Sequence, residues 1–313
     1  MAKTLLVAAD VDRSLLERAR DDARFAVVHN PVRTEEELAA IVADAQVLVT
    51  RAYNRVTRRV LDAAPRLELI AQGTSGIDNI DVDAARERRI AIINLPGANA
   101  NAVAELVIGF IIAMTRTVPF YTRDVARGTF SRDDCATRHE MRHHQLGIVG
   151  LGQVGMRVAR LAHAFGMPVR AYDPYLTDSD FTDRNAERVQ SLAALLALSD
   201  IVTLHVPLNA ETRKIIGAAE IAAMKTGSYL INAARGEVLD QQAALAALQS
   251  NHLAGLALDV FDPEPPAAGF PDDPRLILTP HIGGCSFECK ADIGAMLYEK
   301  IAAFYGNAGV PAG

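Results

Sequence analysis

Three polar side chains in the second half of the chain, Arg235, Glu264 and His281, are of types that could together reduce or oxidise a carbon beside a carboxylate. Each follows an apolar run: Ile231-Asn232-Ala233-Ala234-Arg235-Gly236, Asp259-Val260-Phe261-Asp262-Pro263-Glu264-Pro265 and Thr279-Pro280-His281-Ile282-Gly283-Gly284. Reducing a 2-keto acid needs a cation to hold the carboxylate and polarise the carbonyl, and an acid to protonate the oxygen. Arginine suits the first task through its planar fork of donors. Histidine suits the second, its unperturbed pKa being ~6.5, and a neighbouring glutamate would favour the protonated ring. Singly, each has an ordinary alternative: Arg235 as a surface residue on a turn, Glu264 as a solvated loop acid among prolines, His281 as a polar strand end. Three of them at strand ends downstream of a nucleotide fingerprint favour the chemical reading, because open α/β sheets bind ligands at the carboxyl ends of their strands.

That fingerprint is Leu146-Gly147-Ile148-Val149-Gly150-Leu151-Gly152-Gln153-Val154-Gly155. Gly150 lets the chain turn out of a strand, Gly152 admits a pyrophosphate close to the backbone, and Gly155 lets the next helix pack on the strand. Phosphates would sit on the helix N-terminus, where unpaired N–H groups and the helix dipole favour negative charge. A glycine pattern alone is weak, but here an apolar run precedes it. Val154, Val158, Leu161, Ala162 and Phe165 then share one face of a helix over 153–165. A second strand over 167–172 ends at Asp173, about 20 residues on, where an acid binds ribose hydroxyls. Asp173 would repel a 2′-phosphate, and Pro174 leaves no adjacent arginine to welcome one, so NAD is expected over NADP.

These residues need two series of alternating strands and helices, the pattern of parallel sheets built from βαβ units. The first third offers strands near 5–8, 26–29, 46–50, 69–71 and 90–94, with helical runs such as 35–43. A long apolar helix over 101–115 leads to a polar segment, 121–142, read as loop and surface helix. The fingerprint opens the second series, continued by strands near 201–205, 229–232, 255–258 and 276–279, before a last helix over 286–304. The expected fold is therefore α/β, two doubly wound parallel-sheet domains. A Rossmann-type cofactor domain, 98–285, is inserted in a flavodoxin-like substrate-binding domain made of 1–97 and 286–313.

Composition agrees with this reading. The 313 residues suffice for about two domains, half are hydrophobic and 22% charged, so a sizeable core is expected. A net charge of −6 argues against a general binder of nucleic acid or anionic membrane. No run approaches the ~20 apolar residues of a membrane helix; the longest candidate, 106–114, reads as a buried helix. The N-terminal apolar run reaches Asp10 too soon for a signal peptide, and three cysteines, Cys135, Cys285 and Cys289, do not suggest a disulfide framework. A cytoplasmic protein is expected.

Taken together the segments resemble the D-isomer-specific 2-hydroxyacid dehydrogenase family over nearly the whole chain. To those above they add Gly76-Ile77-Asp78-Asn79-Ile80-Asp81, Asn94-Leu95-Pro96-Gly97-Ala98-Asn99-Ala100-Asn101-Ala102-Val103-Ala104-Glu105 and His205-Val206-Pro207-Leu208. The resemblance implies that Arg235 binds substrate, that His281 is the acid/base and that Glu264 is its partner. It implies NAD contacts from Gly150, Gly152, Gln153, Val154, Gly155, Asp173, His205, Val206, Pro207, Ala233, Ala234, Arg235, Asp259, His281, Gly283 and Gly284. It also implies a homodimer with the helix around Glu105 at its interface. Within the family the nearest likeness is to phosphoglycerate-specific members. There Arg51, in Thr50-Arg51-Ala52-Tyr53-Asn54-Arg55-Val56-Thr57, falls on a substrate-binding position, and Ser75 and Gly76 fall on a loop whose N–H groups meet the substrate carboxylate. The alternative for Arg51 is a solvated residue in a basic run with Arg55, Arg58 and Arg59. The implied substrate is a small anionic 2-hydroxy or 2-keto acid.

Several positions depart from that likeness. Tyr53 stands where smaller residues are common, Gln72-Gly73-Thr74 replaces a loop bearing arginine and alanine, and tryptophan is absent. The chain ending at Gly313 leads us to expect no C-terminal regulatory domain. His139-Glu140-Met141-Arg142-His143 matches a zinc-hydrolase signature, but it runs into the fingerprint strand with little helix and no third ligand, so no metal is expected. Cys285 and Cys289 read as packing residues. Other readings kept open are a hydroxypyruvate or glyoxylate reductase, a sulfolactate-type dehydrogenase and, outside enzymes, a dinucleotide-sensing corepressor-like binding module.

Overall fold

The structure, a computed structural model, describes residues 2–130 and 138–306, which divide into two units. One unit comprises Met1–Asn99 and Cys285–Gly313, and the other Ala100–Gly284. In the first, strands β1 (Lys3–Val7), β2 (Phe25–His29), β3 (Val47–Thr50), β4 (Leu69–Gln72) and β5 (Ala91–Ile93) form a parallel sheet in the order β2-β1-β3-β4-β5. This is the flavodoxin-like winding, in which successive crossovers go first to one side of β1 and then to the other. β3 and β4 are buried at every position, so they read as continuous apolar runs, as central parallel strands do. One face is filled by Leu6, Leu38, Leu48, Val60, Leu61 and Ile70. The helix Glu35–Ile41 starts on a capping box in which Thr34 and Glu37 satisfy each other's end of the first turn. The last helix, Phe287–Gly306, belongs to this unit and lies against the helix Arg13–Asp21.

The second unit holds β6 (Leu146–Val149), β7 (Val169–Tyr172), β8 (Glu187–Arg188), β9 (Ile201–Leu204), β10 (Ser228–Asn232), β11 (Leu253–Leu258) and β12 (Leu276–Leu278). All are parallel, in the order β12-β11-β10-β9-β6-β7-β8. The chain leaves β6 for β7 and β8, then returns to β9 on the other side. The carboxyl end of β6 is therefore a topological switch point, where a crevice opens between loops that diverge. On one face the apolar helix Ala100–Thr115 packs Ala104, Val107 and Ile111 against Val158, Ala159 and Ala162 of the helix Gln153–Ala164. Each large aliphatic side chain buried there contributes roughly 1.5–3 kcal/mol of transfer free energy. Among the described residues, no single helix is long and apolar enough to cross a membrane.

The two doubly wound sheets are as expected from the sequence, and the differences are local. β7 begins at Val169, because Pro168 has no N–H to give a ladder. β11 begins at Leu253, two residues early, with a register shift opposite Ser228 and Tyr229. The two-residue β8 carries no apolar run that sequence periodicity could detect. The polar segment after the apolar helix contains a helix, Val118–Ala126, with Pro in its first turn, and Met141–His143 as a turn of 3-10 helix. Cys135 lies outside the described residues.

Candidate active site

At the carboxyl end of β6 the chain turns at Gly150, whose φ of 89° favours glycine. A Cβ there would come within 2.8 Å of the His205 carbonyl oxygen. A Cβ on Gly155 would lie 2.2 Å from the Gly150 carbonyl oxygen, so the helix Gln153–Ala164 packs directly on the turn. Gly152 differs, since no atom lies within 4 Å of the place its Cβ would take. That open space in front of the helix N-terminus fits a pyrophosphate on the first N–H groups. Asp173 braces the turn from the end of β7, Oδ2 accepting from Leu151 N at 3.0 Å and Oδ1 from Tyr175 N at 3.1 Å. Across β6, His205 N donates to Val149 O at 2.8 Å, and its ring Nε2 meets Thr203 Oγ1 at 3.0 Å. Desolvation pushes this imidazole down to about 3, so it is neutral beside the turn.

The three chemistry-bearing residues come together on neighbouring loops of the same unit. Asn232, buried at the end of β10, donates to Arg235 O at 2.8 Å and accepts from Ala234 N at 3.1 Å, fixing the Ala233-Ala234-Arg235 backbone. Gly236 lets this loop meet the one after β11, because a Cβ there would fall 1.8 Å from Phe261 O. Asp259, 1% exposed, organises the loop after β12: Oδ1 accepts from Thr279 Oγ1 at 2.7 Å and Ile282 N at 2.8 Å, and Oδ2 from Gly283 N at 2.9 Å. Its carbonyl takes His281 N at 2.8 Å. Between these anchors His281 adopts a left-handed φ of 54°, and its Nδ1 lies 2.6 Å from Glu264 Oε1. Burial alone would raise the Glu264 carboxyl, but the hydrogen bond to and charge of His281, the Phe261 N–H and the Arg235 charge hold it below the usual carboxylate range. Both side chains remain about one-third exposed, 35% for His281 and 39% for Glu264. A substrate could therefore still reach the ring.

The other unit holds the remaining candidates at the carboxyl ends of β3 and β4. Arg51 N donates to Asn54 Oδ1 at 3.0 Å, and Arg51 O accepts from Asn79 Nδ2 at 3.2 Å. Gln72, fully buried, donates to Thr74 Oγ1 and Asn79 Oδ1 and accepts from Thr50 Oγ1, tying the two loops together. The Arg51 stem passes the backbone of Gly73, and its charge acts on the buried Cys289 thiol in the first turn of the last helix. The Ser75 hydroxyl is turned inward, donating to Leu95 O and Asn99 Oδ1, both at 3.1 Å. What the Ser75-Gly76 turn leaves for a ligand is backbone N–H. Tyr53 points toward β1, where its hydroxyl accepts from Asp10 N at 2.7 Å and Arg33 covers its ring at 4.2 Å. The zinc-like signature forms no helical face: His139 precedes the single turn Met141–His143, and its ring lies against His144. Sequence reasoning overlooked Asn232, Gly236 and Thr279. An Asn closing an apolar run was the available signal for a side chain capping its own turn.

Residues 108–283 match the NAD binding domain of the D-isomer specific 2-hydroxyacid dehydrogenase family. The chain is 39% identical over 273 residues to a D-3-phosphoglycerate dehydrogenase of Methanocaldococcus jannaschii, covering 86% of this chain and 51% of that one. It therefore spans about half the length of that relative. It is 37% identical to a hydroxypyruvate reductase of Thermotoga maritima, covering 85% of this chain and 87% of the relative. The crystal structure of a D-lactate dehydrogenase from Aquifex aeolicus, complexed with NAD and lactic acid, superposes with a TM-score of 0.84 at 28% identity, covering 97% of this chain and 96% of that one.

His205 gives the site a pH signature. Its folded pKa, about 3, is below the unfolded value, so the stability it contributes is full above ~6.5 and falls as pH drops toward 3. Urea unfolding of His205→Gln at pH 7.5 and 5 should show a smaller loss of stability on acidification than the parent protein; equal losses would place the ring in water.

Proposed function

Because the chain belongs to the D-isomer specific 2-hydroxyacid dehydrogenase family, we propose that it is an NAD-dependent oxidoreductase acting on C2 of a small anionic 2-hydroxy or 2-keto acid, phosphoglycerate-like in its substituent. The observation that carries the reading is the 2.6 Å contact of His281 Nδ1 with Glu264 Oε1, close enough to Arg235 for its charge to act on the same carboxylate. NAD, when bound, supplies the hydride acceptor at its nicotinamide ring, or the donor once reduced. The open space at Gly152, the N–H groups after it and Asp173 would hold its adenosine and pyrophosphate part. Arg235 holds the substrate carboxylate and draws electron density from the adjoining carbonyl. With Nδ1 committed to Glu264, His281 presents Nε2. In reduction the Nε2 proton goes to the carbonyl oxygen, and in oxidation Nε2 takes the hydroxyl proton. Glu264 stays ionised, and so stabilises the imidazolium in either direction.

In the other unit, Arg51 with the Ser75-Gly76 N–H groups is assigned to the substrate's anionic ends. The phosphoglycerate dehydrogenase relative supports this assignment; the hydroxypyruvate reductase relative supports a smaller, uncharged substituent as the second reading. We further propose a homodimer closed through the second unit. Val118, Phe120, Val125 and Phe130 expose 47, 42, 56 and 82% of their surface there, and Glu105 on the apolar helix is exposed as well. A cytoplasmic location is proposed with it, in keeping with a sequence whose three cysteines suggest no disulfide framework.

His281→Ala should lower kcat about 10²-fold or more with NADH affinity nearly unchanged; an unaltered kcat removes His281 as the acid. Arg51→Ala should raise KM about tenfold or more for a phosphorylated or sulfonated acid and far less for glyoxylate, so equal effects on both would take Arg51 out of the anion site. Light scattering of Val125→Asp with Phe120→Asp should show a monomer where the parent is a dimer; an unchanged mass would move the interface elsewhere.

A further inference from the structure

The sheet order places β9 on one side of β6 and β7 on the other. Loops leaving β7 and β9 therefore flank the fingerprint turn, and they are joined: the Tyr175 hydroxyl donates to Glu211 Oε2. Tyr175 is 75% exposed, so this link stands over the crevice and not within the core. Both ends are fixed by backbone contacts. Asp173 Oδ1 holds Tyr175 N. On the β9 side Asn209 Oδ1 accepts from Glu211 N and Thr212 N, both at 2.9 Å, and Thr212 Oγ1 closes onto Pro207 O. The phenol is pushed up by the Glu211 hydrogen bond and charge, with Asp173 adding to the effect, so both carboxylates act on one oxygen. Two arginines also touch the fingerprint region. Arg184 Nη1 donates to Leu151 O at 2.6 Å, and Arg157 Nη1 to Gln153 O at 2.8 Å and to Gln153 Oε1 at 3.0 Å.

We propose that Glu211, held across the crevice by Tyr175, is a second acid that acts with Asp173 to set the preference for NAD over NADP. The inference rests on the NAD assignment. Pyrophosphate at Gly152 and ribose hydroxyls at Asp173 would place the adenosine half between the two loops that carry these acids. A 2′-phosphate would bring up to two further negative charges to a rim that already holds two carboxylates. The interaction is solvent-exposed, so each carboxylate contributes a modest and salt-sensitive factor, about three- to tenfold at low salt.

The test is binding, read from the fluorescence of reduced nicotinamide in the full chain without substrate. Glu211→Gln should lower the ratio of NADPH to NADH dissociation constants about three- to tenfold, with the NADH constant within about twofold of the parent. Tyr175→Phe, which releases Glu211 but keeps its charge, should shift the ratio the same way by less. Glu211→Asp, which keeps the charge, should stay near the parent. In the parent the ratio should shrink as salt is raised from about 0.05 to 1 M, with a shallower dependence in Glu211→Gln. An unchanged ratio in Glu211→Gln, or a salt dependence equal to the parent's, overturns the inference. Failure of the parent to bind NADH would instead overturn the assignment of the cofactor site.

Discussion

The buried carboxylate of Asp259 is the interaction on which the site depends. It is 1% exposed and accepts from Thr279, Ile282 and Gly283, while its own carbonyl accepts from His281 N. A buried charge is tolerated only when its lone pairs are met by donors, and here the donors all come from the loop that carries His281. A left-handed non-glycine residue costs about 1–3 kcal/mol. Hydrogen bonds to a charged acceptor, at roughly 1.5–3 kcal/mol each, are large enough to hold one. The direction of the His281 ring, and with it the contact to Glu264, follows from this anchoring and not from a preference of histidine itself.

The same logic repeats across the second sheet. Asn232 holds the Arg235 loop as Asp259 holds the His281 loop, and Asp173 holds the fingerprint turn through Leu151. Parallel strands end their ladders together, so polar side chains at those ends can cap neighbouring loops as well as meet ligands. In the first unit Gln72 and Asn79 do this for the loops after β3 and β4. The residues that carry charge, Arg51 and Arg235, are thus presented on backbones fixed by uncharged amides.

Much of this was legible in the sequence. Short unbroken buried runs such as Val47–Thr50 and Leu146–Val149 announce central parallel strands because both faces are buried, and glycines at Gly150 and Gly155 mark where backbone must turn or approach. Strand edges were less legible. β8 is two residues of charged sequence, and the start of β11 depends on its pairing with β10. Ser75 was assigned by its place in a loop, which says nothing of its hydroxyl; that group bonds inward to Leu95 and Asn99. Tyr53 was an anomaly in sequence and is, in three dimensions, a residue fastened to Asp10 and Arg33.

Periodicity, glycine placement and residue chemistry are local properties of a chain, and they sufficed for the two sheets, the dinucleotide turn and the identity of the arginine, glutamate and histidine. That His281 meets Glu264, that Asp259 and Asn232 aim the loops, and that Tyr175 reaches Glu211 emerges once the chain is folded. Those contacts join residues on different loops or fix how one loop is aimed, and their geometry is set by strand order and by the satisfaction of buried polar groups, neither of which is written in any single segment.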